Sequence, residues 1–281
     1  RLEEEIRATQ AMTGKPFGVN LIVMHPQLEE LIAVCRRCEV THVVLAGGMP
    51  KGSQLSYVQT VARVICFAPS LRIARKLVKL GVDALIIEGM EAGGHIGPVS
   101  TSVLAQEVLP HITEVPVFVA GGIGRGDAMV SYLRMGASAV QLGTRFVCAH
   151  ESIAHEKFKQ CFIQSSARDS VASTQLDPEF PVIPVRAIAN RATDAFTRRQ
   201  HEVIAAYRSG ELDKKQAQLE IEHFWAGALR RAVVEGDVEH GSVMAGQSVG
   251  LVTGCQPMAD IIQELLQQAC QFMEQEAAWA A

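Results

Sequence analysis

The sequence predicts an α/β protein with a parallel sheet covered by helices, and three observations predict it. Short apolar, β-branched runs alternate with stretches whose apolar residues recur at three- and four-residue spacing. Two helices end in the same local formula, Leu80-Gly81-Val82-Asp83 and Met135-Gly136-Ala137-Ser138, with glycine at the expected C′ position just before a strand. Three glycine clusters directly follow predicted strands, at the ends where parallel barrels gather their active-site loops.

In chain order, a helix over residues 2–12 leads straight into a strand over 17–24. A helix over 27–38, a strand over 42–46 and a strand over 61–67 follow, then a helix over 70–80 and a strand over 84–88. Helix 101–111, strand 115–120, helix 126–135 and strand 139–142 complete the alternation. That makes six strands, where a closed barrel of this kind has eight. A chain that opens on a helix is how a barrel short of its first βαβ unit would begin. An open parallel sheet is the alternative, and the expected fold is a TIM-type (β/α)8 barrel lacking its first two strands.

After Phe146 the pattern changes. Residues 155–164 read as a helix, and 165–184 are polar and carry Pro178, Pro181 and Pro184. Residues 187–207, 213–235 and 257–277 read as helices, and 236–254 as a loop rich in glycine and small residues. The expected organisation is a barrel over 1–150, an all-helical cap or lid with its glycine-rich loop over 151–256, and a C-terminal helix over 257–281 returning to the barrel.

Composition narrows the function classes. A length of 281 residues buries a sizeable core, and 48% hydrophobic with 20% charged residues is ordinary for a globular protein. The net charge of −4, with the signs interspersed, argues against a nucleic-acid surface. The apolar runs are far too short to span a bilayer, and the acidic opening Arg1 to Glu5 is no signal peptide. Seven cysteines, an odd number, do not make a disulfide framework, so a reduced, cytoplasmic protein is expected. Cys35 and Cys38 form a CxxC ahead of His42, but no second pair supplies the four ligands of a structural metal site, and they read as two helix cysteines. No metal is expected.

The chemistry concentrates in the glycine clusters: Gly89 with Gly93, Gly94, His95 and Gly97; Gly121, Gly122, Gly124 and Gly126; and Gly143-Thr144-Arg145-Phe146. Glycine lets backbone N–H groups approach an anion, and two such loops on successive strands match a barrel phosphate site. The second cluster contains GxGxG, but a dinucleotide fingerprint needs an acidic residue at the end of the next strand, and the next acid, Glu151, lies beyond it. His95, flanked by glycines, cannot be a helix-core histidine, and imidazole suits proton transfer near neutral pH. Glu88 and Glu91 read equally as partners of His95, as holders of a ligand hydroxyl, or as loop-structuring acids. His111, His150, His155 and His223 read as surface or packing residues.

At these residues the sequence resembles a known family. Glu88 to His95, Ala120-Gly121-Gly122-Ile123 and Gly143 to Phe146 are similar to motifs of the nitronate monooxygenases, formerly 2-nitropropane dioxygenases, and of their sister group, the FMN-dependent enoyl-[acyl-carrier-protein] reductases II. The stretch from Gly236 to Gln247 resembles the reductases' C-terminal motif, and Lys15 to Asn20 the family's third strand. The resemblance implies FMN phosphate on the backbone of Gly121, Gly122, Gly143 and Thr144, with Asn20 contacting the flavin and Gly94 lying against it. It implies that His95 faces the reactive edge, and that Met244, Gly246 and Gln247 fold back as part of the substrate lid. The implied activity is oxidative denitrification of alkyl nitronates with O2. The alternative is NAD(P)H-dependent reduction of an enoyl thioester on acyl carrier protein, or of a quinone. A phosphate-ligand barrel without catalysis is a further alternative, and a homodimer is compatible with all three. Two departures stand out. The family's first two strands, which carry a Gly-Gly-Met flavin contact, are not found ahead of the strand over 17–24, and Cys66-Phe67-Ala68-Pro69 offers no lysine where some members place one against the flavin.

Overall fold

The computed structural model describes residues 1–177, 180 and 182–280. The chain runs α1 (Leu2–Met12), β1 (Gly18–Ile22), α2 (Leu28–Arg37), β2 (His42–Ala46), α3 (Gly52–Gln59) and β3 (Arg63–Phe67). It continues through α4 (Leu71–Lys79), β4 (Ala84–Glu88), β5 (Gly94–His95), α5 (Thr101–Val108), β6 (Val117–Ala120) and α6 (Gly126–Arg134). Next come β7 (Ala139–Gln141), α7 (Thr144–Val147), α8 (Glu156–Gln164), β8 (Ser170–Ala172) and β9 (Val185–Ile188). Three long helices end it: α9 (Arg191–Arg208), α10 (Lys214–Glu235) and α11 (Met258–Ala280).

Six strands form one sheet in the order β1-β2-β3-β4-β6-β7. The first four are paired in parallel, with Val19 opposite Val43, Val43 opposite Val64 and Cys66 opposite Leu85. The order never reverses. A doubly wound sheet reverses at a switch point, whereas a barrel wall adds each strand beside the last, so this is a (β/α) barrel wall. Burial follows the apolar content of each strand. Ala84 to Ile87 of β4 are buried without a break, as expected for a strand covered on both faces, while β1 buries only Val19 and Leu21. Gly81 and Gly136 occupy the left-handed region at φ +79° and +106°, which ends α4 and α6 as their local formula predicts.

The chain divides into two compact units. The first comprises residues 1–87, 104–119 and 135–139 and carries most of the sheet. Its packed interior includes Val43, Leu45, Val64, Leu77 and Leu85, all 1% exposed or less. Cys35 and Cys38 are buried there at the end of α2, and burial pushes the Cys35 thiol up to about 11.

The second unit comprises residues 88–103, 120–134 and 140–281, taking in the tail together with loops that leave three strands. The tail is not all helical. β5, β9 and β8 form a three-stranded antiparallel sheet in that order. The helix expected over 187–207 therefore begins only at Arg191, because Asn190 caps it by accepting from the Ala192 and Thr193 N–H groups at 2.9 and 3.3 Å. The β-branched residues just before that cap pair as a strand instead. Pro178 and Pro181 lie outside the described residues. An aromatic cluster of Phe180, Phe196, Phe224 and Trp225 holds α9 to α10, with Phe196 and Trp225 rings 4.1 Å apart. No helix among the described residues is long and apolar enough to cross a membrane.

Candidate active site

Four glycine-bearing turns of the second unit converge, and Glu91 joins most of them. After β4 the chain turns at Gly89, whose N–H donates to the Ala120 carbonyl at 3.2 Å. A Cβ at Gly89 would lie 2.0 Å from Thr101 Oγ1, so no other residue fits there. Thr101, buried at the start of α5, donates its N–H to the Glu91 carboxylate at 2.8 Å. Its hydroxyl lies 2.8 Å from the same carboxylate and 3.1 Å from the Gly121 carbonyl. Gln247 N–H donates to the Glu91 carbonyl at 2.9 Å, and Gly246 N–H to Thr144 Oγ1 at 2.9 Å. Glu91 is thus a loop-structuring acid: its carboxylate is spent on Thr101 and not on His95.

The glycines divide by what surrounds them. A Cβ at Gly93 would lie 2.5 Å from the Gly246 nitrogen, and one at Gly122 would lie 2.8 Å from the Glu91 Cβ. Gly124 faces Leu251 and Ser248, and Gly126 faces the Leu265 carbonyl at 2.0 Å, so the end of the GxGxG run packs the turn and α6 onto neighbouring protein. Gly143 differs. Nothing lies within 4 Å of its Cβ position, and the residue is exposed at the end of β7. Arg145 anchors this turn from behind, buried and donating to Gln256 at 2.7 Å and Glu264 at 2.6 Å.

His95 stands at the edge of this cluster on β5. Gly94 (φ +80°) turns the chain, and β5 then pairs with β9, His95 opposite Val185 and Gly94 opposite Arg186. The imidazole is exposed, and its Nε2 lies 3.2 Å from Glu222 Oε2 on α10. Met244 closes one side, its sulfur 3.7 Å from where a Cβ of Gly94 would be. Burial pushes the Glu88 carboxyl up to about 7, opposed by the charge of His95. Arg186 is buried beneath β5, donating Nε–H to the Met90 carbonyl at 2.8 Å and Nη1–H to the Ser170 carbonyl. Burial holds the Arg186 guanidinium below the usual arginine range, opposed by the charge of Glu91.

The family model for nitronate monooxygenase matches residues 32–268. The chain belongs to the nitronate monooxygenase family. It is an FMN-dependent oxidoreductase. Among solved structures, this family member is similar to FabK from Thermotoga maritima, with a TM-score of 0.83 and 34% identity over 99% of this chain and 83% of that one. The nitroalkane oxidase of Streptomyces ansochromogenes shares the fold, with a TM-score of 0.75 and 22% identity over 97% of this chain and 86% of that one. A (3aS,4S,5R,7aS)-5-hydroxy-7a-methyl-1-oxo-octahydro-1H-indene-4-carboxyl-CoA dehydrogenase of Rhodococcus jostii is 28% identical over 95% of this chain and 82% of its own length.

In this family member the structure brings together Gly94, His95, Gly121, Gly122, Gly143, Thr144, Met244, Gly246 and Gln247 within one unit. Asn20 lies in the other unit, exposed in the middle of β1 opposite Val44. Sequence reasoning missed Thr101, Arg186 and Glu222. Thr101 had a signal in hindsight, since a threonine opening a helix is placed to meet a carboxylate from a neighbouring loop. Arg186 and Glu222 had none. Among the described residues, no group of three or more His, Cys, Asp or Glu is placed to hold a metal ion.

Proposed function

We propose that these loops hold FMN through the backbone of Gly121, Gly122, Gly143 and Thr144, and that His95 handles the substrate's proton beside it. The observation that supports this most is the open position at Gly143, at a strand end, inside a cluster where Gly89, Gly93, Gly122, Gly124 and Gly126 are packed against protein. Packing explains why Gly93 and Gly122 lack side chains, but it leaves Gly143 unexplained. A phosphate brought against bare N–H groups at that turn accounts for it. FMN supplies the hydride or electron chemistry, and the protein supplies position and electrostatics.

Each of the chain's own groups then has a task. Gly94 leaves room for a flat ring system against the backbone, and Met244 limits that space on one side. Gly246 and Gln247, tied to Thr144 and Glu91, hold the lid segment over the cofactor turn. His95 removes the α-proton of a neutral nitroalkane, or orients the already deprotonated nitronate anion for oxidation by O2. The seven unpaired thiols suit a reducing, cytoplasmic setting.

A second reading is reduction of an enoyl thioester by NAD(P)H, with His95 polarising the carbonyl or protonating the product. The likeness to FabK, an enoyl-ACP reductase II, at 34% identity and to a carboxyl-CoA dehydrogenase at 28% favours it. Anaerobic stopped-flow mixing decides between them. Flavin bleached by an alkyl nitronate and not by NADH or NADPH establishes the first. Bleaching by a reduced nicotinamide, reversed by an enoyl thioester, establishes the second. A purified protein that takes up no FMN refutes both.

A further inference from the structure

The environment of His95 assigns its two ring nitrogens different work. Glu222 places its carboxylate oxygens 3.2 and 3.3 Å from Nε2. A carboxylate accepts hydrogen bonds and cannot donate them. The contact therefore requires a proton on Nε2, in the neutral ring as well as in the imidazolium. In the neutral ring, Nδ1 is then the bare, basic nitrogen.

Both partners are delivered from fixed elements. The His95 backbone is locked into the antiparallel pairing of β5 with β9. Glu222 is flanked on α10 by Ile221 and Trp225, which are 1% and 2% exposed in the aromatic cluster. The two side chains are themselves 42% and 32% exposed, so their pairing adds little to stability. Orientation is the effect such a pair does have. The ring also acts electrostatically on Glu88, which sits half-buried at the end of β4. Glu91 is occupied by Thr101.

We propose that Glu222 is the positioning residue for His95, holding the ring as the Nε2–H tautomer and leaving Nδ1 as the atom that takes up and returns the proton. This rests on the reading of His95 as the group that works beside the flavin. It goes beyond that reading by naming the nitrogen and the helix that selects it.

The test labels the histidines with 15N and reads the two ring nitrogens of His95 in long-range 1H–15N spectra, with its signals assigned by their loss in His95→Asn. The unsubstituted holoenzyme is expected to show a protonated Nε2 and a bare Nδ1. Glu222→Ala and Glu222→Leu remove the acceptor but keep good helix formers in α10, and both are expected to give a mixture of tautomers. In both, kcat is expected to fall on the order of tenfold, with KM within about twofold, as for loss of an orienting partner. Glu222→Gln keeps an acceptor oxygen and is expected to restore the tautomer and most of kcat. An active enzyme whose tautomer and kcat are unchanged in Glu222→Ala and Glu222→Leu overturns the proposal and leaves the functional reading intact. A tautomer that depends on Glu222 in a protein that binds no flavin overturns the functional reading instead.

Discussion

Gly93 and Gly143 stand in the same cluster of turns and do opposite things. At Gly93 the Cβ position is filled, 2.5 Å from one backbone nitrogen of the 244–247 segment; at Gly143 it is empty to 4 Å. The first glycine lets protein meet protein, and the second leaves protein bare for something else. A glycine-rich motif is therefore two populations superposed, and a count of glycines cannot separate them. The proposed chemistry lies on the open side, with Gly143 and the exposed ring of His95.

The largest effect separates these two sides by activity. His95→Asn is expected to lower kcat by roughly 10²- to 10⁴-fold, the usual contribution of a positioned acid or base, with the melting temperature unchanged. Steady-state kinetics alongside calorimetry checks this. Lost stability with retained activity would move His95 to the packed side.

The packed side is expected to answer in stability. Gly93→Ala forces a methyl group against the backbone at Gly246 and Ala245, and unfolding free energy should drop by about 3 kcal/mol, the upper end for overpacking. Urea titration measures it. An unchanged midpoint would mean that the 244–247 segment does not rest on Gly93.

A pH-dependent effect concerns Glu88, whose carboxyl is pushed by burial to a pKa of about 7 against an ordinary 4.5. Below pH 4.5 the group is protonated whether the chain is folded or not. Between 4.5 and 7 the folded chain keeps the proton that the unfolded chain releases, so stability declines as pH rises through that window, and the loss is complete above 7. Melting temperatures from pH 4.5 to 7.5 should show a shallower decline in Glu88→Gln than in the unsubstituted protein. Identical slopes would place Glu88 in solvent.

The regular fold was legible because its signals are periodic. Six parallel strands and the helices between them repeat an apolar pattern long enough to register, and Gly81 and Gly136 mark helix ends through a conformation other residues avoid. The strands of the second sheet were not legible. β5, β8 and β9 span two to four residues, too few for a period, and Asn190, which caps α9, sits inside a run whose spacing predicts helix from residue 187. α3 was missed because it opens on glycine and serine and buries only Leu55 and Val58. At the site, the glycine turns and His95 were visible as local motifs. Glu222 lies 127 residues from His95, one acid among several on a polar helix, and only tertiary packing singles it out.

The proposed function requires that the bare turn at Gly143 receive the FMN phosphate. FMN titration of the apoprotein, followed by flavin fluorescence quenching, tests it with Gly143→Ala as the comparison. Alanine fits that backbone, at φ −114° and with no neighbour to strike, so folding should be unaffected. A dissociation constant raised at least about tenfold, equivalent to about 1.4 kcal/mol of lost binding, with the melting temperature of the apoprotein unchanged, is the predicted result. FMN bound as tightly by Gly143→Ala as by the unsubstituted protein would contradict it.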